Sequence, residues 1–160
     1  MEDTRLVYFL RHLSPAQMDG FNDYIRNPFF NQRDTLIQLF DLLREELIEK
    51  GHALQREDVY RYIYPGQPFN PGSLKALFAR LFAQLKQYLA WEEFNRDKYL
   101  QQRLFLRASG QMGAMRHFAA FHKSARKELE KSDLNAADYF FEDMSLEEER
   151  YRYLRIQGKR

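Results

Sequence analysis

Four histidines, His12, His52, His117 and His122, are the first residues to test for chemistry. His117 and His122 stand five apart, which turns them to different helix faces, whereas a shared metal ion needs an i, i+4 pair. Glu49 and His52 have the Glu-x-x-His spacing of helical di-iron bundles. That motif needs a second copy and two further carboxylates, and Gly51 ends the helix between its members. The pair reads as a helix C-terminus with a solvated histidine. Glu147-Glu148-Glu149 suits the positive end of a helix dipole and needs no metal. With no cysteine, a disulfide scaffold, a thiolate metal site and a cysteine nucleophile are excluded. Ser109-Gly110 lies in a helix junction without the Gly-x-Ser-x-Gly elbow of a serine nucleophile. No glycine pair leads into Lys-Ser or Lys-Thr, so there is no phosphate-cradling loop. Acids are spread over helix faces, and nothing singles out a catalytic pair. The expectation is a protein without catalytic residues, cofactor or metal.

Charge gives a second lead. Residues 95–127 carry eight bases (Arg96, Lys98, Arg103, Arg107, Arg116, Lys123, Arg126 and Lys127) against one acid, Asp97. Such an excess is the footprint of a phosphate binder. The segment 138–149 answers with six acids, Asp138, Glu142, Asp143, Glu147, Glu148 and Glu149, and the net charge of the chain is only +2. Intramolecular neutralisation is therefore expected, and nucleic-acid binding through 95–127 is the disfavoured alternative.

Aromatic residues give the third. Tyr139, Phe140 and Phe141 are consecutive, so they cover about 200° of a helix at about 100° per residue. Together with Met144, Tyr151, Tyr153 and Leu154 they are too many for one face packed on one core. Tyr139, Phe140, Phe141, Tyr151 and Tyr153 are thus the candidate interface to a protein partner or a second copy. Aromatic groups are enriched at interfaces because they bring large contact area at low entropic cost.

These residues must be held by helices. Val, Ile and Thr together number nine, and all five prolines fall at or before Pro71. Leucines and aromatics recur at helical spacing throughout, which predicts an all-α fold. A short helix carries Leu6, Phe9, Leu10 and Leu13. Ser14-Pro15 with Gln17 is a capping box opening a second, with Met18, Phe21, Tyr24 and Ile25 inside, closed by Pro28. The loop 27–31 holds Phe29 and Phe30, of which at least one should plug the core. A helix over 34–50 carries Leu36, Leu39, Phe40, Leu43 and Leu47 and ends at Gly51. A short helix covers 56–63, with Val59, Tyr60, Tyr62 and Ile63 on its apolar side. Asn70-Pro71 opens the most periodic helix, 72–94, the spine, with Leu74, Leu77, Phe78, Leu81, Leu85, Tyr88 and Leu89. Ala79 and Ala83 beside that stripe would permit a close crossing. No cap is legible between 90 and 105, so the spine is expected to run on through Trp91, Phe94, Tyr99, Leu100 and Leu104. After Ser109-Gly110 and Gly113, a helix over 112–131 carries Met115, Phe118, Phe121, Ala125 and Leu129. Asn135 caps a further start. Ser145-Leu146-Glu147-Glu148 reads as another capping box, which predicts two final helices joined near Asp143.

The sum is an irregular bundle of six to eight helices in a single domain, 1–160, with a sub-boundary near 107–113. Tyr24–Phe29 is echoed by Tyr62–Asn70 at an offset of 38 residues, a spacing compatible with the start of a helical-repeat array. No apolar run approaches the ~20 residues of a membrane helix, and the opening residues lack a signal-peptide pattern, so a cytoplasmic protein is expected.

Two stretches resemble known families. Residues 54–89, a short helix, Tyr64-Pro65, a loop and the leucine helix, resemble the helical core of response-regulator-type DNA-binding domains. They depart where contact is made: the would-be recognition helix offers only Lys75, Arg80 and Lys86. Residues 92–106 have helical composition where that family has a β-hairpin wing. Leu13-Ser14-Pro15-Ala16-Gln17, Phe21, Tyr24, Asn27-Pro28-Phe29-Phe30-Asn31, Leu39-Phe40, Tyr64-Pro65 and Leu74-Lys75-x-Leu77-x-x-x-Leu81 resemble the N-terminal region of a family of uncharacterised bacterial all-helical proteins. That resemblance spans residues 10–95. It implies an all-helical protein with no assigned activity, and a chain that forms the N-terminal part of a larger one.

Overall fold

Caps and core-facing leucines decide where each helix begins and which side it buries. The computed structural model describes residues 4–158; residues 1–3, 159 and 160 lie outside the description, as does the side chain of Met115 expected on the 112–131 stripe. Among the described residues there are eight α-helices and no strand: α1 (Arg5–His12), α2 (Pro15–Arg26), α3 (Asp34–Leu42), α4 (Arg56–Ile63), α5 (Pro71–Arg96), α6 (Lys98–Gln111), α7 (Met115–Leu129) and α8 (Ala136–Gln157). The chain is an all-α irregular bundle. It divides into two compact units, Met1–Trp91 and Glu92–Arg160. The boundary thus falls inside the spine helix, and residues 107–113 are the end of α6 and the start of its turn into α7.

The first unit packs α1–α4 and most of α5 around one apolar core. In α1 the buried side is Leu6, Val7 and Leu10; Phe9, expected inside, is half-exposed against Phe82 with ring centroids 5.3 Å apart. The capping box of α2 is complete, with Gln17 N–H donating to Ser14 Oγ at 3.2 Å and Ser14 N–H to Gln17 Oε1 at 3.1 Å. In the following loop Phe30 stacks on Tyr24 at 4.2 Å and plugs the core, while Phe29 is 86% exposed. Buried Asn31 holds this loop by donating to the carbonyls of Ile25 (2.9 Å) and Arg33 (3.2 Å).

Helix α3 does not continue as an α-helix to residue 50. It widens into a π-helical segment, Leu43–Glu49. A π turn brings residues five apart onto one side. That is why Arg44 reaches Glu49 (3.0 Å) and Lys50 reaches Glu45 (2.6 Å), pairs that an α-helix would splay by about 140°. Gly51, at φ +69°, ends the element as expected.

On α5 five of the seven expected stripe residues, Leu74, Leu77, Leu81, Leu85 and Tyr88, are buried, and Phe78 and Leu89 are half-buried against the same core. Ala79 and Ala83 are exposed and mediate no crossing. The close approach is at Gly20 on α2, where a Cβ would collide with the Tyr88 hydroxyl.

The second unit has a smaller core: Leu106, Phe118, Ala125, Leu129 and Leu146, with Tyr99, Leu134, Tyr139 and Tyr153 against it. The spine does not run on through residue 104. Asp97 breaks it and caps α6, its carboxylate accepting the Leu100 N–H at 2.9 Å. Gly113, at φ +74°, turns the chain into α7. Asn135 caps α8 by accepting the Asp138 N–H at 3.0 Å, as its type predicts.

Candidate functional site

Helix α8 is one element of 22 residues, not two joined near Asp143. Ser145 does not cap a new start; its hydroxyl donates to the Phe141 carbonyl at 2.7 Å inside the continuous helix. Glu147-Glu148-Glu149 therefore stands in mid-helix, and side chains rather than a dipole hold the acids. Glu147 pairs with Arg126 and Arg150, Glu148 with Arg152, and Glu149 with Arg107.

Continuity puts the aromatic residues on two opposed faces. At about 100° per residue, Phe140, Met144 and Tyr151 fall within about 40° of one another, with Leu154 beside them. Their exposures are 65%, 73% and 61%, and Leu154 is 51% exposed. Phe141 (61% exposed) flanks this line, its ring 5.4 Å from the Arg103 guanidinium. The opposite side carries buried Leu146 and half-buried Tyr139 and Tyr153. Tyr153 stacks on Phe118 of α7 with centroids 3.9 Å apart and planes 2° from parallel. The five candidate interface residues thus split. Tyr139 and Tyr153 belong to the core, and Phe140, Phe141 and Tyr151 face outward.

The basic stretch is largely spoken for. Arg103 meets Glu142 at 3.3 Å, Arg107 meets Glu149 at 2.5 Å, and Arg126 meets Asp143 (3.6 Å) and Glu147 (3.3 Å). Arg96 turns to Glu92 (2.7 Å) and Glu93 (3.2 Å), and Lys98 to Glu128 (3.4 Å). Glu149 is 3% exposed. Its hydrogen bond raises the Arg107 pKa against the opposing cost of burial, so the guanidinium stays charged. Arg116, Lys123 and Lys127 are exposed, with no ion-pair partner among the described residues. Their spacing of seven and four keeps them on one side of α7.

No group of three or more metal-binding side chains occurs among the described residues. Glu49 and His52 diverge: Glu49 holds Arg44 at 3.0 Å, and His52 Nδ1 lies 2.9 Å from Glu46. His122 is buried near Glu147 at 3.7 Å, and exposed His117 leans toward the Phe121 ring. No described helix is long and apolar enough to cross a membrane.

One feature escaped the residue patterns. A cleft of about 290 Å³ in the second unit is bordered by Arg107, Arg152 and Arg155. Arg152 and Arg155 lie outside the basic stretch, so only the folding of α8 against α6 brings the three arginines together.

These features define an all-α helical protein with an aromatic outer face on its last helix. No family model, no curated protein and no solved structure matches the chain.

Proposed function

We propose that this chain is a non-catalytic helical interaction module, and that the outer face of α8 docks an apolar helix of a partner protein. The observation that carries this reading is the line Phe140–Met144–Tyr151, exposed on one side of a helix whose other side is packed. An apolar line of this kind is paid for in water unless something covers it. A groove-and-helix contact would read it at positions three, four and seven apart. The resemblance of residues 10–95 would place the chain in a larger bacterial helical protein, and a cytoplasmic setting rests on the sequence pattern alone.

Nucleic-acid binding through 95–127 is the alternative. Its support is the exposed trio Arg116, Lys123 and Lys127, since the other five bases of the stretch face acids. Three phosphate contacts give a weak, strongly salt-dependent affinity.

The test compares the full chain with a Phe140→Glu/Tyr151→Glu variant, both in solution and as bait in the cells of origin. Both positions are exposed, so the variant should keep its helicity by circular dichroism. A protein held by the chain, or self-association seen by sedimentation, is expected to be lost in the variant. A strict monomer whose captured proteins are the same with and without the two substitutions overturns the proposal. Short DNA and RNA are expected to bind weakly and without sequence preference. Sub-micromolar binding near physiological salt, with a steep salt slope, moves the function to the alternative.

A further inference from the structure

Gly110 is the clue to a second property of the second unit. It lies in the last turn of α6, and glycine in a helix is less favourable than alanine. Two structural reasons for a helical glycine are absent. Its φ is not positive, and a Cβ built on it would meet nothing within 4 Å. Yet the residue is buried, and it lines a cleft that opens to solvent. That cleft is the one of about 290 Å³, at the low end of small-molecule sites.

The walls have two characters. Leu106 of α6 and the rings of the stacked pair Phe118–Tyr153, 3.9 Å apart, are apolar. The rim is cationic: Arg107, Arg152 and Arg155 against a single lining carboxylate, Glu149. Glu149 accepts from both Nε (3.0 Å) and Nη2 (2.5 Å) of Arg107, and it lies 3.5 Å from Arg152 Nη1. The buried carboxylate fixes one edge of the Arg107 guanidinium and leaves the Nη1 edge without a protein acceptor among the described residues. Arg155 lies 5.9 Å from the Tyr151 ring and pairs with no carboxylate among the described residues. A cleft with a flat apolar wall and spare guanidinium N–H groups at its rim fits a ligand with the same division.

We propose that the cleft beside Gly110 binds a small amphipathic carboxylate, its apolar body against Phe118 and Tyr153 and its anion on Arg107 and Arg155. Two parallel N–H donors of a guanidinium match the two oxygens of a carboxylate. Gly110 is then the residue that keeps the seat open, at the expense of helix stability. Gly110, Phe118 and Tyr153 lie off the outer line of α8 whereas Arg155 borders it beside Tyr151, so Gly110→Met is the variant that separates this site from partner docking.

The probes are 2-naphthoate, its neutral amide and its phosphate counterpart 2-naphthyl phosphate, titrated into the full chain and followed by calorimetry and backbone amide shifts. Naphthoate is expected to bind, with shifts confined to α6–α8, and the amide to bind at least tenfold more weakly. Gly110→Met fills the cleft with a good helix former, so it should fold and lose naphthoate binding at least tenfold. Arg155→Gln, at an exposed position, should lose binding while keeping the native helicity. Absence of naphthoate binding, equal binding of the amide, or unchanged binding to both variants overturns the proposal. Tighter binding of the naphthyl phosphate overturns the choice of carboxylate.

Discussion

At the scale of single residues, the crowded position is Gly20. A helix-interior glycine replaced by alanine ordinarily gains about 0.5–1 kcal/mol. Here the new methyl would meet the hydroxyl of Tyr88, which is 3% exposed and cannot swing into solvent. Overpacking costs about 1–3 kcal/mol and outweighs the gain. Gly20→Ala is therefore expected to destabilise the chain by about 1–2 kcal/mol in denaturant unfolding. In a Tyr88→Phe background the same substitution should cost less, because the colliding oxygen is gone; equal costs in both backgrounds would refute the steric reading. Glu142 is the second residue with a measurable signature. Burial raises its carboxyl pKa above the ordinary 4.5, Arg103 opposes the rise, and Asp97 and Asp138 add to it. Between 4.5 and the raised value the folded chain binds more protons than the unfolded one. Stability linked to Glu142 is then fully present below 4.5 and falls as pH rises through the raised value. Glu142→Gln removes that loss. The variant's stability relative to the parent should be greater at pH 7 than at pH 4, and an equal difference at both would contradict the burial of an ionised carboxylate.

At the scale of elements, Asp97 decides where the spine ends. Its carboxylate satisfies the Leu100 N–H at the start of α6, and removing such a cap costs about 0.5–2 kcal/mol. Asp97→Ala is expected to lose about 1 kcal/mol, and Asp97→Asn almost none, measured by thermal or chemical unfolding. A loss near zero for Asp97→Ala would mean the break is imposed elsewhere. The same residue shows what the sequence conceals. Ser14-Pro15 and Asn135 were legible as caps because a proline or a preceding break marked them. Asp97 stands between two helical runs with no such mark, in a stretch read as one basic block. Ser145 errs in the other direction: the cap-box pattern is present, but with no break before it the hydroxyl bonds back to the preceding turn. The π-helical widening after Leu42 leaves no trace in the spacing of Leu39, Leu43 and Leu47, since leucine spacing alone does not separate the two helix types. The outward line on α8 was half legible. Three consecutive aromatics show that one face is not enough, but which of them is buried depends on α8 being continuous. The arginine-rimmed cleft was not legible, because Arg107 and Arg155 line one cleft only through tertiary packing.

At the scale of the whole molecule, the two units are built from different amounts of apolar packing. Among the described residues twenty buried side chains form the core of the first unit and five that of the second. The second unit instead buries Ser109, His122, Glu142 and Glu149 and joins its helices by ion pairs. Apolar burial contributes about 25 cal/mol per Å², whereas ion pairs half-open to water contribute about 0–1 kcal/mol each. Buried pairs lose much of their attraction to desolvation. The second unit should therefore open at lower free energy than the first. Helix α5 makes the expectation sharp, because it belongs to the first unit up to Trp91 and to the second beyond it. Native-state hydrogen exchange on the intact chain should show the slowest amides between Leu77 and Tyr88 and in α2 and α3. Amides of α6, α7 and α8 should exchange together at a faster, common rate. Protection should step down along α5 near Trp91, inside one unbroken helix. Uniform protection along α5 and across all eight helices would show a single cooperative unit, with the ion-paired half as stable as the apolar one.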